Sequence, residues 1–157
     1  MRAVALRLDV HPNALYSYVS TKDDLVISLL DDVLEQATKP PAQSRDPIEA
    51  VFDIFMATYD SLCQHSDLIP AFLAYRGVDG PNATELAKQC LELFHAADFD
   101  SVFAEKVLQS LITYTIGTAA FDVTGSEKYE NSTVADGLRL LLLGAKNQTD
   151  NETQISH

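Results

Sequence analysis

Apolar residues recur at the three- and four-residue spacing of an α-helix along almost the whole of this 157-residue chain, whereas the period-two alternation of a half-buried strand forms no convincing run. Each helical stripe must be buried against another helix, because no sheet is available to cover it. With 46% apolar residues, the chain can build a sizeable core. The sequence therefore predicts an all-α fold.

Proline, glycine and polar clusters divide the chain into a head, a body and a tail. Residues 1–38 predict three short helices, and residues 39–45 form a linker by composition. Asp46-Pro47-Ile48-Glu49 then predicts a capped helix start. Five helices over about 47–65, 69–76, 82–97, 101–123 and 133–145 make a body of residues 46–146. The polar tail, 147–157, has almost nothing to bury and is predicted to be disordered.

The net charge argues at first against DNA. Eleven Lys and Arg residues against 23 Asp and Glu residues give a net charge of −12, and phosphate binding needs a basic face. However, residues 1–40 carry four basic and six acidic residues, net −2, and most of the acidity lies in the body. No acidic residue occurs between His11 and Thr21. The charge therefore does not exclude DNA binding by the head, although the visible head lacks the basic surface of a tight binder.

Several other classes are disfavoured. Apolar runs such as Leu140–Leu143 are far too short to span a bilayer, and no signal-peptide pattern opens the chain, which predicts a cytoplasmic protein with no membrane partner. Cys63 and Cys90 form no CxxC pair, and Cys63 and His65 are badly spaced for a shared helical face, so we expect no metal and no cofactor. No nucleophile or phosphate-loop motif occurs, so we expect no catalytic residues and no enzyme.

Residues 3–25 predict a helix-turn-helix, in which a helix, a tight turn and a second short helix place that second helix in the major groove of DNA. The hydroxyls of Tyr16 and Tyr18 and the charge of Lys22 can reach phosphates. Polar side chains able to contact base edges or the backbone are His11, Asn13 and Ser17. The alternative for the two tyrosines is packing at a helix surface.

This stretch resembles the second half of the DNA-binding domain of the tetracycline-repressor (TetR) family. The family pattern reads approximately VA-x-x-L-G-V-S-x-x-x-L-Y-x-[HY]-[FV]-x-x-K-x-x-L. The matching residues, all in register, are Val4-Ala5, Leu8, Val10, Leu15-Tyr16, Tyr18-Val19, Lys22 and Leu25. Asp9 replaces the usual Gly of the turn, and His11 replaces the Ser or Thr cap, which predicts weaker capping. The family's first helix is missing, so we expect residues 1–38 to be a partial domain with an incomplete N-terminus.

The resemblance implies a homodimeric repressor that binds a palindromic operator in double-stranded DNA and is released by a small-molecule effector. It assigns phosphate contacts to Tyr16 and Lys22, and recognition-helix contacts to Asn13 and Tyr18. The alternative is a helical ligand-binding or protein-interaction module that has lost DNA binding together with its first helix.

The body supplies candidates for the effector pocket and the dimer interface. A cavity for a small apolar or aromatic effector is predicted from Phe55, Met56, Tyr59, Phe72, Tyr75 and Tyr114, with ordinary core packing as the alternative. Polar contacts from Thr113, Thr115 and Thr118 are explained equally well by helix packing. The helices near 101–123 and 133–145 predict a dimer interface, because Gly117, Ala119 and Ala120 permit close approach and residues 138–144 (LRLLLLG) exceed one buried stripe. An intrachain core is the alternative there.

Overall fold

The computed structural model describes residues 11, 13, 20–38, 46–75, 78–124 and 131–155. Within these ranges every regular element is helical, so the predicted all-α fold is confirmed. The helices are α1 (Lys22–Leu34, continued by a 3-10 turn at Glu35–Thr38), α2 (Pro47–Gln64), α3 (Ile69–Ala74, preceded by a 3-10 turn at Ser66–Leu68), α4 (Pro81–Ala96), α5 (Ser101–Thr124) and α6 (Asn131–Ile155).

Two helices begin at signals that are local in the sequence. Thr21 and Asp24 form a reciprocal capping box at the start of α1, with N–H to side-chain oxygen distances of 3.0 and 2.9 Å. The carboxylate of Asp46 accepts the backbone N–H groups of Ile48 and Glu49 at 2.8 and 3.2 Å, so α2 starts where the sequence predicted. In each case a side chain just before the helix satisfies N–H groups that have no partner inside the helix.

The start of α4 is capped from a different helix. Its N-cap residue is Gly80, which has no side chain to offer. Instead, Asp31 of α1 accepts the N–H of Asn82 at Oδ2 (3.1 Å) and the N–H of Ala83 at Oδ1 (2.9 Å), and the Asn82 amide donates to the Asp31 carbonyl at 3.2 Å. Asp31 is only 3% exposed. A Cβ atom at Gly80 would overlap the Asp31 side chain, so glycine is required there by close approach. Asp31 therefore joins α1 to α4.

Helix α2 is central in the bundle and packs against α1, α4, α5 and α6. It buries one broad face of large apolar residues, which continues into a single core built from all six helices. The most deeply buried members of that core are Leu30, Val51, Phe94, Leu111, Val134 and Leu138. Such dense helix packing supplies most of the stability of the individual helices.

Two polar side chains of α2 are buried with partners on neighbouring helices. The Tyr59 hydroxyl donates to the carboxylate of Asp122 on α5, and the Ser61 hydroxyl donates to the carbonyl of Val33 on α1. Burial, followed by the hydrogen bond to Asp122, raises the pKa of Tyr59 well above its usual value. The tyrosine therefore stays protonated and acts as a donor that orients α2 against α5.

The last helix is longer than predicted. Residues 147–155 were expected to be a disordered tail, but α6 continues to Ile155. Thr149 is buried, and it extends the inward stripe of Leu138, Leu142 and Ala145 at helical spacing. Its hydroxyl donates to the Ala145 carbonyl at 3.4 Å. The prediction was wrong because a single polar residue placed on the correct face can continue a buried stripe.

We expect Asp31→Ala to lower the free energy of unfolding by about 1 to 3 kcal/mol, because two N–H groups at the start of α4 lose their acceptor. The matched control is Asp32→Ala, since Asp32 is the next residue on α1 and is exposed; its effect should stay within about 0.5 kcal/mol. Urea unfolding followed by circular dichroism measures both variants. Equal effects of the two variants would contradict the cap.

Candidate ligand cavity and DNA-binding segment

The body contains a cavity of about 820 Å³ between α2, α3, α4 and α5, and Leu34 of α1 also lines it. This volume lies in the range of small-molecule sites. Apolar side chains from all four helices form much of its wall, among them Ile54, Leu62, Phe72, Leu86, Leu108 and Ile116. The cavity can therefore accept a molecule that is mainly apolar.

Three of the six predicted pocket residues line this cavity, namely Phe55, Phe72 and Tyr75. Met56 and Tyr59 are on the same helix as Phe55 but lie outside the wall, and Tyr59 is instead committed to Asp122. Tyr114 is also outside the wall. Its ring packs directly on Gly137 of α6, where a Cβ would overlap it, and its hydroxyl lies 3.4 Å from the Val134 carbonyl. These three side chains therefore lie outside the cavity wall.

The charged residues of the cavity lie at its exposed side. Lys88 and Glu92, one turn apart on α4, are both solvent exposed, and Lys88 Nζ lies 3.9 Å from Glu92 Oε1. Asp79 and His95 are also exposed. The deeper wall is formed by uncharged side chains from α2 and α5, including Thr58, Ile112 and Thr115. Charge is thus confined to the part of the site that water reaches.

Helix α1 is connected to two walls of the cavity. The hydroxyl of the wall residue Tyr75 donates to Asp23 Oδ1 at 2.6 Å, and this hydrogen bond raises the pKa of Tyr75. Asp23 directly follows Lys22 in the first turn of α1. On the second wall, Ala83 lines the cavity and donates its backbone N–H to Asp31. The two ends of α1 are therefore joined by hydrogen bonds to the cavity wall, one to Tyr75 and the other to the start of α4.

Of the predicted DNA-contacting residues, His11, Asn13 and Lys22 are described and all three are exposed. The backbone N–H of Asn13 donates to Nδ1 of His11 at 3.2 Å, so the imidazole accepts a hydrogen bond from the backbone two residues later. Lys22 is the first residue of α1, immediately after the Thr21 cap. Tyr16, Ser17 and Tyr18 lie outside the described residues.

Helices α5 and α6 carry exposed apolar side chains. Phe121 is 66% exposed, Leu140 is 72% exposed and Leu143 is 54% exposed, and Leu141 is also exposed. We call these four residues the apolar surface. A Cβ at Gly117 or Gly144 would meet nothing within 4 Å, so packing within the chain does not demand glycine at either position. Ala119, in contrast, is fully buried in the core and is not available to a partner.

Two kinds of feature are absent from the part of the chain that the structure describes. No helix there is both long and apolar enough to cross a membrane. No group of three or more His, Cys, Asp and Glu side chains in the same ranges is arranged to hold a metal ion.

The chain resembles transcription regulators in both sequence and structure, although no protein-family model matches it. An HTH-type transcriptional regulator of Saccharopolyspora erythraea is 29% identical over 145 aligned residues, and the match covers 88% of this chain and 60% of that protein. The chain thus spans about three fifths of the length of this relative.

Solved structures share the fold. BioQ of Mycobacterium smegmatis has a TM-score of 0.74 at 24% identity over 93% of this chain and 85% of that chain. A TetR variant of Acinetobacter baumannii AYE, solved with minocycline, has a TM-score of 0.78 at 18% identity over 94% and 85%. The chain therefore has the fold of the TetR family, which confirms the resemblance found in its head motif. The S. erythraea relative is a regulator of transcription, the class of protein that the head motif predicts.

Cys90 provides a chemical test of the buried wall. It lines the cavity, is almost fully buried, and has its pKa raised by burial to about 12. In a Cys63→Ser variant, which leaves one thiol, we expect alkylation by iodoacetamide at pH 8 to be slower than in the urea-unfolded chain by on the order of 1000-fold, because only the thiolate reacts. The alkylation rate of the folded chain should keep rising at pH values at which an ordinary thiol is already fully deprotonated. Equal rates in the folded and unfolded chains would contradict this environment.

Proposed function

We propose that this protein is a ligand-responsive repressor, which binds a palindromic DNA operator as a homodimer in the cytoplasm and releases it when a small, mainly apolar molecule occupies the cavity. The observation that carries the proposal is the connection of the cavity to α1 through Tyr75–Asp23 and Asp31–Ala83. The head motif leads directly into α1, at Lys22. We assign residues 1–38 to DNA binding and residues 46–146 to ligand binding and dimerisation.

Two solved relatives support the chemistry. A BioQ structure contains its natural double-stranded DNA operator; it has a TM-score of 0.71 at 23% identity over 93% of this chain and 84% of that chain. The A. baumannii TetR variant contains minocycline. By analogy, the exposed His11, Asn13 and Lys22, together with Tyr16, Ser17 and Tyr18, are assigned to operator contacts, and the cavity is assigned to the effector.

The response to a ligand follows from differential binding. A ligand shifts a conformational equilibrium only if it binds one state more tightly than the other. Tyr75 lines the cavity, and its hydroxyl also donates the hydrogen bond to Asp23. A ligand that fits only when the Tyr75 ring has moved therefore binds most tightly to the conformation in which this hydrogen bond is altered. Movement of α4 acts likewise through Asp31. The resulting change in the position of α1 alters the spacing of two heads in a dimer.

The homodimer proposal rests on the apolar surface. Exposed side chains of this size are expected to be covered by a partner when they cluster on adjacent helices. Because α5 and α6 of one protomer would meet the same helices of its partner, the contact is a four-helix bundle. The open space beside Gly117 and Gly144 allows the backbones to come close.

Operator binding is tested by gel shift with the promoter DNA of the protein's own gene. We expect Lys22→Ala to weaken binding on all sequences and to reduce the slope of log affinity against log salt by about 1, since one phosphate contact is lost. Lys106→Ala on α5, also exposed, is the matched control and should leave the slope unchanged. If the unmodified chain does not bind at low salt but its cavity still takes a ligand, the alternative of a ligand-binding module without DNA binding is favoured.

The dimer is tested by sedimentation equilibrium. Leu140→Glu places a charge in the apolar surface and should weaken association by about tenfold or more, because that charge is buried without a partner. Leu29→Glu on α1, a helix that packs against α2, α3 and α4, changes a side chain that is also exposed, and it should not alter the dimer. A monomeric unmodified protein, or equal effects of the two variants, would refute the proposed interface.

A further inference from the structure

The hydroxyl of Thr115 differs from three other hydroxyls on α5. Ser110, Thr113 and Thr118 donate to the carbonyl four residues earlier, at 2.9, 2.8 and 2.7 Å respectively. This is the usual way in which a hydroxyl within a helix is satisfied. Thr115 is 0% exposed, and its Oγ1 has no hydrogen-bond partner among the described residues.

Thr115 also belongs to the cavity wall. A buried hydroxyl without a partner is unfavourable, so a valine of the same shape would suit a purely structural role better. The neighbouring wall residues on α5, Ile112 and Ile116, carry only apolar side chains. The uncommon feature of this wall is therefore one buried polar atom with no partner among the described residues, which water or a polar group of a ligand can satisfy.

We propose that Thr115 determines the specificity of the cavity, and that it selects an uncharged, mainly apolar ligand with a hydroxyl or carbonyl group for hydrogen bonding. A charged ligand group is disfavoured in the deep wall because its burial would need an opposite charge there. The charged wall residues Lys88, Glu92, Asp79 and His95 are all exposed, and the first two already face each other. This inference rests on the proposed function for the presence of a ligand in the cavity, but it does not depend on DNA binding.

The test uses a matched pair of probes, 2-naphthol and 2-methylnaphthalene, which have nearly the same shape and differ by a hydroxyl in place of a methyl group. Their affinities are measured by displacement of the fluorescent N-phenyl-1-naphthylamine from the full chain. In Thr115→Val we expect the preference for 2-naphthol over 2-methylnaphthalene to fall by about tenfold, the equivalent of one hydrogen bond of about 1.4 kcal/mol. Because both probes are aromatic and of equal size, a general change in packing alters both affinities alike and leaves the ratio of the two affinities unchanged.

Two controls separate specificity from structure. Thr115→Ser keeps a hydroxyl and should retain the preference, and Thr113→Val alters an exposed threonine on the same helix outside the wall and should leave the ratio unchanged. Because valine removes an unsatisfied group, Thr115→Val should fold with a thermal midpoint at least as high as that of the unmodified chain.

Three outcomes would overturn the proposal. They are an unchanged ratio in Thr115→Val, failure of the unmodified chain to bind either probe, and tighter binding of 2-naphthoate, which carries a charge, than of 2-naphthol. Gel shift with promoter DNA is run in parallel. Loss of the preference in Thr115→Val without operator binding would support the cavity assignment and refute the regulatory function, so the two proposals can fail independently.

Discussion

The buried carboxylate of Asp31 is the interaction on which the arrangement of the helices around the cavity depends. It satisfies the first N–H groups of α4, and its negative charge lies at the positive end of that helix dipole. Because the capping carboxylate belongs to α1, the position of α1 fixes the position at which α4 begins. Gly80 supports this arrangement, since any larger residue would push the two helices apart. The position of the α4 wall is thus tied to the helix that follows the head.

Helix α2 provides the fixed frame against which α1, α4 and α5 are placed. Its apolar face lies in the core, and its two buried hydroxyls reach Val33 and Asp122 on opposite neighbours. Hydrogen bonds of this kind are directional, so they select one rotation of α2 where apolar contact alone would accept several. Consequently Phe55 faces the cavity while Tyr59, one turn later, is fully committed to the core. On α5, Thr115 lies in the cavity wall, whereas Ala119, about one turn later, lies in the core.

How far the site can be predicted from the sequence differs between its parts. The helix start at Asp46 was predictable because the capping residue and the N–H groups that it accepts are at most three positions apart. The role of Asp31 was not predictable from the sequence. Asp31 is one of several acidic residues on its helix, and its partners are about 50 residues further along the chain. Half of the predicted pocket residues line the cavity, since periodicity identifies a buried aromatic residue but not whether a cavity or another side chain lies beside it. The extension of α6 was missed for a related reason: only the neighbouring helices show that Thr149 faces inward.

By itself, the sequence determined that this protein is all-α, where its central helices begin, and that its head carries the TetR motif in register. These are local properties, which arise from the 3.6-residue repeat, from capping side chains and from a short motif. Only the tertiary structure decided which helix caps α4, which aromatic residues enclose the cavity, and which of Thr113, Thr115 and Thr118 lacks a partner. These properties depend on the rotation of each helix about its own axis, and that rotation is set by contacts between residues distant in the chain.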